Sequence, residues 1–322
     1  MFERLKRNRF LAIGRAGLDL YADPPGTQIE DAEKFSAALG GSAANIAVAL
    51  VRQGCAAALL TAVSNDAVGR YTLKALASYG IDTRFVLSVG GEARNSLAVV
   101  ETRNENCQSV IYRNDAADFH ITEANVSGIR YSSFAAIIVT GTSLAQEPSR
   151  SATLAAMQLA RAAGLLLIVD IDYRPYSWRS KAEAQAVCSQ AVNMCDIIVG
   201  NDVEFAVLAG LQDGMPLAEE LSHKVGRVVV YKEGEKGCTT FTPDDRFDTP
   251  VFPVTALKPT GAGDAFMGGL ISGLVAGIPL QEAVRRGAAT AAIVVTRVGC
   301  APAMPDAAEV LTFMQHPHHL GK

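Results

Sequence analysis

The 322 residues predict an α/β fold built on a doubly wound, mostly parallel sheet. Three features carry that expectation: short apolar runs, helical stretches with readable ends between them, and a regular alternation of the two. The runs lie at residues 11–14, 136–141, 165–170, 196–200 and 227–232. Each is rich in Val, Ile, Leu or Ala without polar alternation, which suits strands buried on both faces of a parallel sheet. Among the helices, the stretch from Ser149 to Ala163 is expected to begin with Ser149 as N-cap and to stop at Gly164. The βαβα order then points to helices on both faces of the sheet, a three-layer α/β/α arrangement.

Two segments break this rhythm. Residues 95–113 read as two strands around a polar turn at 103–106, with no helix between the arms. Residues 19–35 contain Pro24, Pro25 and Gly26 and leave the first strand without entering a helix. Together they are expected to form a small β-sheet lid, from about residues 15–36 and 94–120, inserted into one domain spanning 1–322. A pair of surface loops is the alternative.

Composition narrows the function. With 49% hydrophobic and 19% charged residues, the chain can bury a large core and is not disordered. A net charge of -4 offers no basic footprint for nucleic acid, so any phosphate recognition must be local. The six cysteines form no C-x-x-C pair, which suits free thiols in a reducing compartment and a cytoplasmic location. The basic start passes into an apolar run at 10–14 that is too short for a signal segment or a membrane span, so no membrane partner is expected. His316 and its neighbours Pro317, His318 and His319 read as a polar terminus rather than a metal site.

The segment from Lys258 to Phe266 is the most informative. Gly261, Ala262 and Gly263 are three small residues at a helix start, where unobstructed N–H groups and the helix dipole make an anion site. Asp264 follows on the first turn, placed to take a proton from an incoming hydroxyl as a general base. Taken alone, the segment is equally a glycine-rich turn with an acidic helix start. A second element, Gly40 and Gly41 with Asn45 one turn later, allows close approach to a ligand and offers an amide to its hydroxyls. In a third, Asn201 and Glu204 fall at i and i+3 after a buried strand. There they could serve phosphate-bound Mg²⁺, or simply answer the helix dipole.

These elements, together with Lys232, Glu233, Gly234, Glu235, Lys236 and Gly237, resemble in order and spacing the ribokinase-like, phosphofructokinase B type carbohydrate kinases. The similarity covers almost the whole chain, and no Walker-type P-loop is present. The resemblance implies an ATP-dependent enzyme with a β-lid that often supports a homodimer. It implies Asp264 as catalytic base, Gly261, Ala262 and Gly263 as anion hole, and Asn201 and Glu204 as organisers of Mg²⁺, with Glu204 acting through water. Lys232, Gly234, Gly237 and Lys258 would belong to the nucleotide-binding set.

The acceptor is read from two arginines. Arg113 ends the lid hairpin and Arg174 follows a buried strand, and two guanidinium groups suit an anionic substrate. The competing reading pairs Arg174 with Asp170 or Asp172 and leaves Arg113 on the lid surface. Segments 13–21, 141–145, 170–178 and 257–260 are similar to the branch of the family that phosphorylates the C6 hydroxyl of 5-dehydro-2-deoxy-D-gluconate in myo-inositol catabolism. That similarity implies a sugar-acid substrate with its carboxylate on Arg113 and Arg174 and its hydroxyls on Asp19, Gly40, Gly41 and Asn45. Kinases of 2-keto-3-deoxygluconate share the arginine logic, a phosphosugar kinase would also explain it, and a non-catalytic sugar-acid sensor is the alternative of another class. Two residues depart from the wider family. Lys258 stands where an Asp commonly helps to bind a monovalent cation, so its ammonium would substitute for that cation. Asp172 stands where relatives often carry Asn.

Overall fold

A computed structural model describes residues 2–224 and 226–317. Its strands are β1 (Arg9–Ile13), β2 (Gly17–Asp23), β3 (Lys34–Gly40), β4 (Ala56–Ser64), β5 (Val86–Val89), β6 (Ser96–Val100), β7 (Ser109–Tyr112), β8 (Ala136–Thr140), β9 (Leu166–Asp170), β10 (Ile197–Asn201), β11 (Val228–Lys232), β12 (Cys238–Phe241) and β13 (Arg246–Thr249). Its helices are α1 (Ser42–Arg52), α2 (Ala67–Ser78), α3 (Glu123–Ser127), α4 (Ser149–Ala162), α5 (Lys181–Met194), α6 (Asp202–Ala209), α7 (Met215–Ser222), α8 (Ala262–Val275), α9 (Leu280–Val295) and α10 (Ala307–Gln315). All five strands expected from apolar runs form within two residues of their expected ends. His318 and His319 lie outside the described residues.

The chain divides into two compact units. One takes the residues up to Gly14 and Phe119–Val251. Its strands run in the order β13-β12-β11-β10-β9-β8-β1. The pairs from β1 to β11 are parallel, and β12 and β13 add an antiparallel edge. Every residue of β8 and β9 is buried, as continuous apolar strands between two helical layers require. The expected N-cap of α4 needs correction. Pro148 holds that position, and the Ser149 hydroxyl donates to the Ser143 carbonyl at 2.7 Å instead of accepting from the helix. The Glu147 carboxylate takes the Ser151 amide in its place, because its longer side chain reaches over the first turn.

The other unit takes Arg15–Asp118 and the chain from Phe252 onward. It contains a four-stranded sheet in the order β3-β2-β6-β7 and a parallel β4-β5 pair. β6 and β7 form the antiparallel hairpin read from residues 95–113, and β2 pairs antiparallel with β3. Both irregular segments therefore enter one small sheet. Helices α1, α8 and α9 pack side by side through small residues. A Cβ on Gly268 would overlap Ala49 of α1, so this glycine lets the α8 and α1 backbones approach. Between the three helices, the buried Gln53 side chain accepts from Ser272 at 2.9 Å and from Arg286 at 3.0 Å and donates to Thr290 at 3.2 Å. A satisfied buried network of this kind fixes one helix register, because any slip strands a polar group.

Candidate active site

Helix α8 begins on Gly261, which takes a left-handed conformation at φ 84°. Its first backbone bond runs from the Ala265 amide to the Gly261 carbonyl, so the Ala262 and Gly263 amides stand ahead of the helical ladder. A 14-residue helix adds its positive end to those donors. Asp264 lies half-buried on the same first turn, and its Oδ2 accepts from Asn45 Nδ2 at 2.8 Å. The amide must face the carboxylate with its NH₂ group, which leaves Asn45 Oδ1 as an acceptor, and that oxygen is buried without a partner.

Asp19, on β2, repeats the pattern. Its Oδ2 accepts from the Tyr21 hydroxyl at 3.0 Å, and its Oδ1 is buried without a partner. Burial raises its pKa above the ordinary 3.8, against the pull of Arg15, the Tyr21 hydrogen bond and Lys258. A side chain on Gly40 would collide with this carboxylate, and Gly41, at φ 98°, would meet the Arg15 carbonyl. Both glycines therefore keep the backbone tight around Asp19 and the start of α1.

Lys258 is fully buried. Its ammonium donates to the Thr260 carbonyl at 2.5 Å and the Val294 carbonyl at 3.5 Å, the second near the C-terminus of α9. Desolvation lowers its pKa, while Cys300, Asp264, Cys107 and Asp19 pull it back up. The first of these bonds is to the main-chain oxygen directly before Gly261. Arg113 is also buried and is paired with Asp118.

The other unit places Asn201 at the end of β10 as N-cap of α6. Asn201 and Glu204 form a capping box: the Glu204 amide donates to Asn201 Oδ1 at 2.9 Å and the Asn201 amide to Glu204 Oε2 at 2.7 Å. Glu204 Oε1 accepts from the Tyr173 amide at 3.1 Å, so each carboxylate oxygen already holds one N–H. Burial raises the Glu204 pKa, and Lys232 is the leading opposing influence. Asp172, at φ 39°, accepts from Thr142 at 3.1 Å and pairs with the half-exposed Arg174 at 2.8 Å. Lys232 ends β11, and Gly234 and Gly237, both at positive φ, turn the chain into β12.

The structure thus gathers Asp19, Gly40, Gly41, Asn45, Lys258 and Gly261 to Asp264 in one unit, and Arg174, Asn201, Glu204, Lys232, Gly234 and Gly237 in the other. Tyr21 went unnoticed in the sequence. Its spacing of two from Asp19 on a strand, which puts both on one face, was the available signal.

Residues 7–307 match the pfkB family carbohydrate kinases. The chain belongs to that family. Over 311 residues it is 37% identical to a 5-dehydro-2-deoxygluconokinase of Photobacterium profundum, covering 95% of this chain and 94% of that protein. A 5-dehydro-2-deoxygluconokinase of Geobacillus thermodenitrificans is 32% identical, with 98% and 95% covered. Among solved structures, a fructokinase variant of Vibrio cholerae O395 with fructose, ADP and a potassium ion bound superposes with a TM-score of 0.83 at 26% identity, covering 95% of this chain and 97% of that one. The pfkB carbohydrate kinase is thus an α/β protein of the ribokinase-like type. No helix among the described residues is long and apolar enough to cross a membrane.

Proposed function

We propose that this pfkB kinase transfers the γ-phosphoryl group of ATP to the C6 hydroxyl of 5-dehydro-2-deoxy-D-gluconate. The observation that carries the chemistry is the Asp264 carboxylate, held at 2.8 Å by the Asn45 amide on the same helical turn as the leading amides of α8. Asp264 accepts the proton of the acceptor hydroxyl as its oxygen bonds to phosphorus and the bond to the ADP oxygen breaks. The Ala262 and Gly263 amides and the α8 dipole take up charge on the transferred group, and Lys258 supplies a fixed positive charge behind them. Phosphoryl transfer needs little covalent help, so positioned donors and one base suffice.

The unpartnered Asp19 Oδ1 and Asn45 Oδ1 suit the hydroxyls of a sugar, because buried acceptors are costly until a donor reaches them. Arg113 and Arg174 are our candidates for the carboxylate end. Their carboxylate partners fix each guanidinium plane. Lys232, Gly234 and Gly237 would serve the nucleotide. Asn201 and Glu204 fit magnesium through its waters: each Glu204 oxygen already bonded to an amide has a lone pair left for a water hydrogen, and Mg²⁺ readily keeps its waters. The names of the curated relatives favour this acceptor over other sugar acids.

We further infer a single catalytic domain, with the sheet of β2, β3, β6 and β7 as its lid. A homodimer through that sheet is favoured by the exposed Phe35, Val110 and Tyr112 on its edge strands. Free thiols at all six cysteines suit the cytoplasm.

A coupled assay measuring ADP release tests the function. The panel is 5-dehydro-2-deoxy-D-gluconate, 2-keto-3-deoxygluconate, fructose, and fructose 1- and 6-phosphate. The first should give the highest kcat/KM, and Asp264→Asn should lower kcat about 10²–10⁴-fold while acceptor binding persists. Preference for another acceptor refutes the substrate, and an Asp264→Asn enzyme near parental activity refutes the base.

A further inference from the structure

One buried hydroxyl joins two parts of the site that the reaction uses separately. Tyr21 is 1% exposed on β2. Its oxygen lies 3.0 Å from Asp19 Oδ2, 3.1 Å from the Cys300 amide and 3.3 Å from Cys300 Sγ. A phenol has one proton to give. The carboxylate is the stronger acceptor, so the O–H donates to Asp19 and the oxygen receives the Cys300 N–H. Cys300 in turn packs under the anion site: a Cβ on Gly261 would come within 2.9 Å of its sulfur. The bend before it is set by Gly299 at φ 82°. A continuous chain of contacts therefore runs from Asp19 through the Tyr21 hydroxyl and the Cys300 amide to the residue that starts α8.

We propose that Tyr21 is a positioning residue, whose hydroxyl orients the Asp19 carboxylate toward the acceptor and at the same time pins the 299–300 bend beneath the anion site. The assignment of Asp19 to the acceptor rests on the function proposed above. With Oδ2 holding the Tyr21 proton, the unpartnered Oδ1 is the oxygen turned to a substrate hydroxyl, so the bond selects one rotamer of the carboxylate. Tyrosine suits this place because it bridges a strand and a distant bend with a rigid ring that costs little entropy to order.

The test is Tyr21→Phe in the full chain, which keeps the ring and removes the hydroxyl. Asp19 faces Arg15, Tyr21 and Lys258, with Cys300 beyond the phenol, and the Tyr21 hydrogen bond favours its ionised form. Loss of that bond should shift the Asp19 titration, read by carboxyl NMR on ligand-free protein, to higher pH. Affinity for 5-dehydro-2-deoxy-D-gluconate should fall about 10- to 100-fold, the worth of a hydrogen bond to a charged group. The KM for ATP should stay within about twofold. An unchanged Asp19 titration and unchanged acceptor affinity, whatever the loss of thermal stability, overturn the proposal. If Tyr21→Phe does not fold, 3,5-difluorotyrosine at position 21 keeps the shape and donates more strongly, so the titration must move to lower pH; no movement overturns the proposal. The NMR readout needs no acceptor. A parent enzyme inactive on the panel would therefore refute the proposed substrate while leaving the Tyr21–Asp19 link to stand or fall by its own titration.

Discussion

Replacing Lys258 by Met probes the most unusual charge in the site. The ammonium is fully buried and bonded only to the carbonyls of Thr260 and Val294 among the described residues. Burying an ammonium costs several kcal/mol unless oxygen atoms replace its water, and these carbonyls do so as they would for a bare cation. Thr260 directly precedes Gly261, so the lysine both adds positive charge near Asp19 and Asp264 and tethers the segment entering the start of α8. Removing one preorganised electrostatic group of this kind lowers kcat by about 10²–10³-fold. The stability change should be smaller. The Thr260 carbonyl loses its lysine donor, at about 1–3 kcal/mol, whereas the Val294 carbonyl keeps the Arg297 amide, and relief of the ammonium's desolvation offsets part of that cost. The assay is steady-state turnover with and without added potassium. The parent should respond little to the salt, whereas Lys258→Met should recover part of its loss as K⁺ enters the vacated carbonyl site. A parent whose activity rises steeply with K⁺, or a variant that loses less than about twofold, would refute the assignment of a fixed charge to Lys258.

Gly268→Ala should push α8 away from Ala49 and so lengthen the Asn45–Asp264 contact; kcat is expected to fall at least about tenfold, with the circular-dichroism spectrum retained. An unaltered kcat would mean that the helices absorb the methyl group elsewhere. At the start of α2, the Asp66 side chain accepts from the Val68 and Gly69 amides, and those bonds, led by Gly69, hold its pKa below 3.8. Asp66→Ala should cost about 1 kcal/mol in denaturant unfolding at neutral pH. Because the folded pKa is depressed, the Asp66 contribution is complete above the unfolded value of 3.8 and is lost as pH falls through the lower folded value, so parent and variant should converge in acid.

The buried strands, the glycine-led helix starts and the acidic residue on the first turn of α8 were legible in the chain because each depends on neighbours in sequence. A parallel strand demands an unbroken apolar run, and open amides at a helix start demand small residues there. The capping box of Asn201 and Glu204 is local in the same sense. Pairings across the chain were not legible. Asn45 meets Asp264 across 219 residues and Tyr21 meets Cys300 across 279, and each needs the register of packed helices or the face of a particular strand. The arginines show the same division. Their charge was plain, but only the fold decided that Arg113 is buried against Asp118 and that Arg174 leans on Asp172. Sequence alone determined what each segment becomes and the class of chemistry it can support. Tertiary structure decided which side chains share one low-dielectric space, because that depends on how small residues let helices approach and on which buried polar groups must find each other.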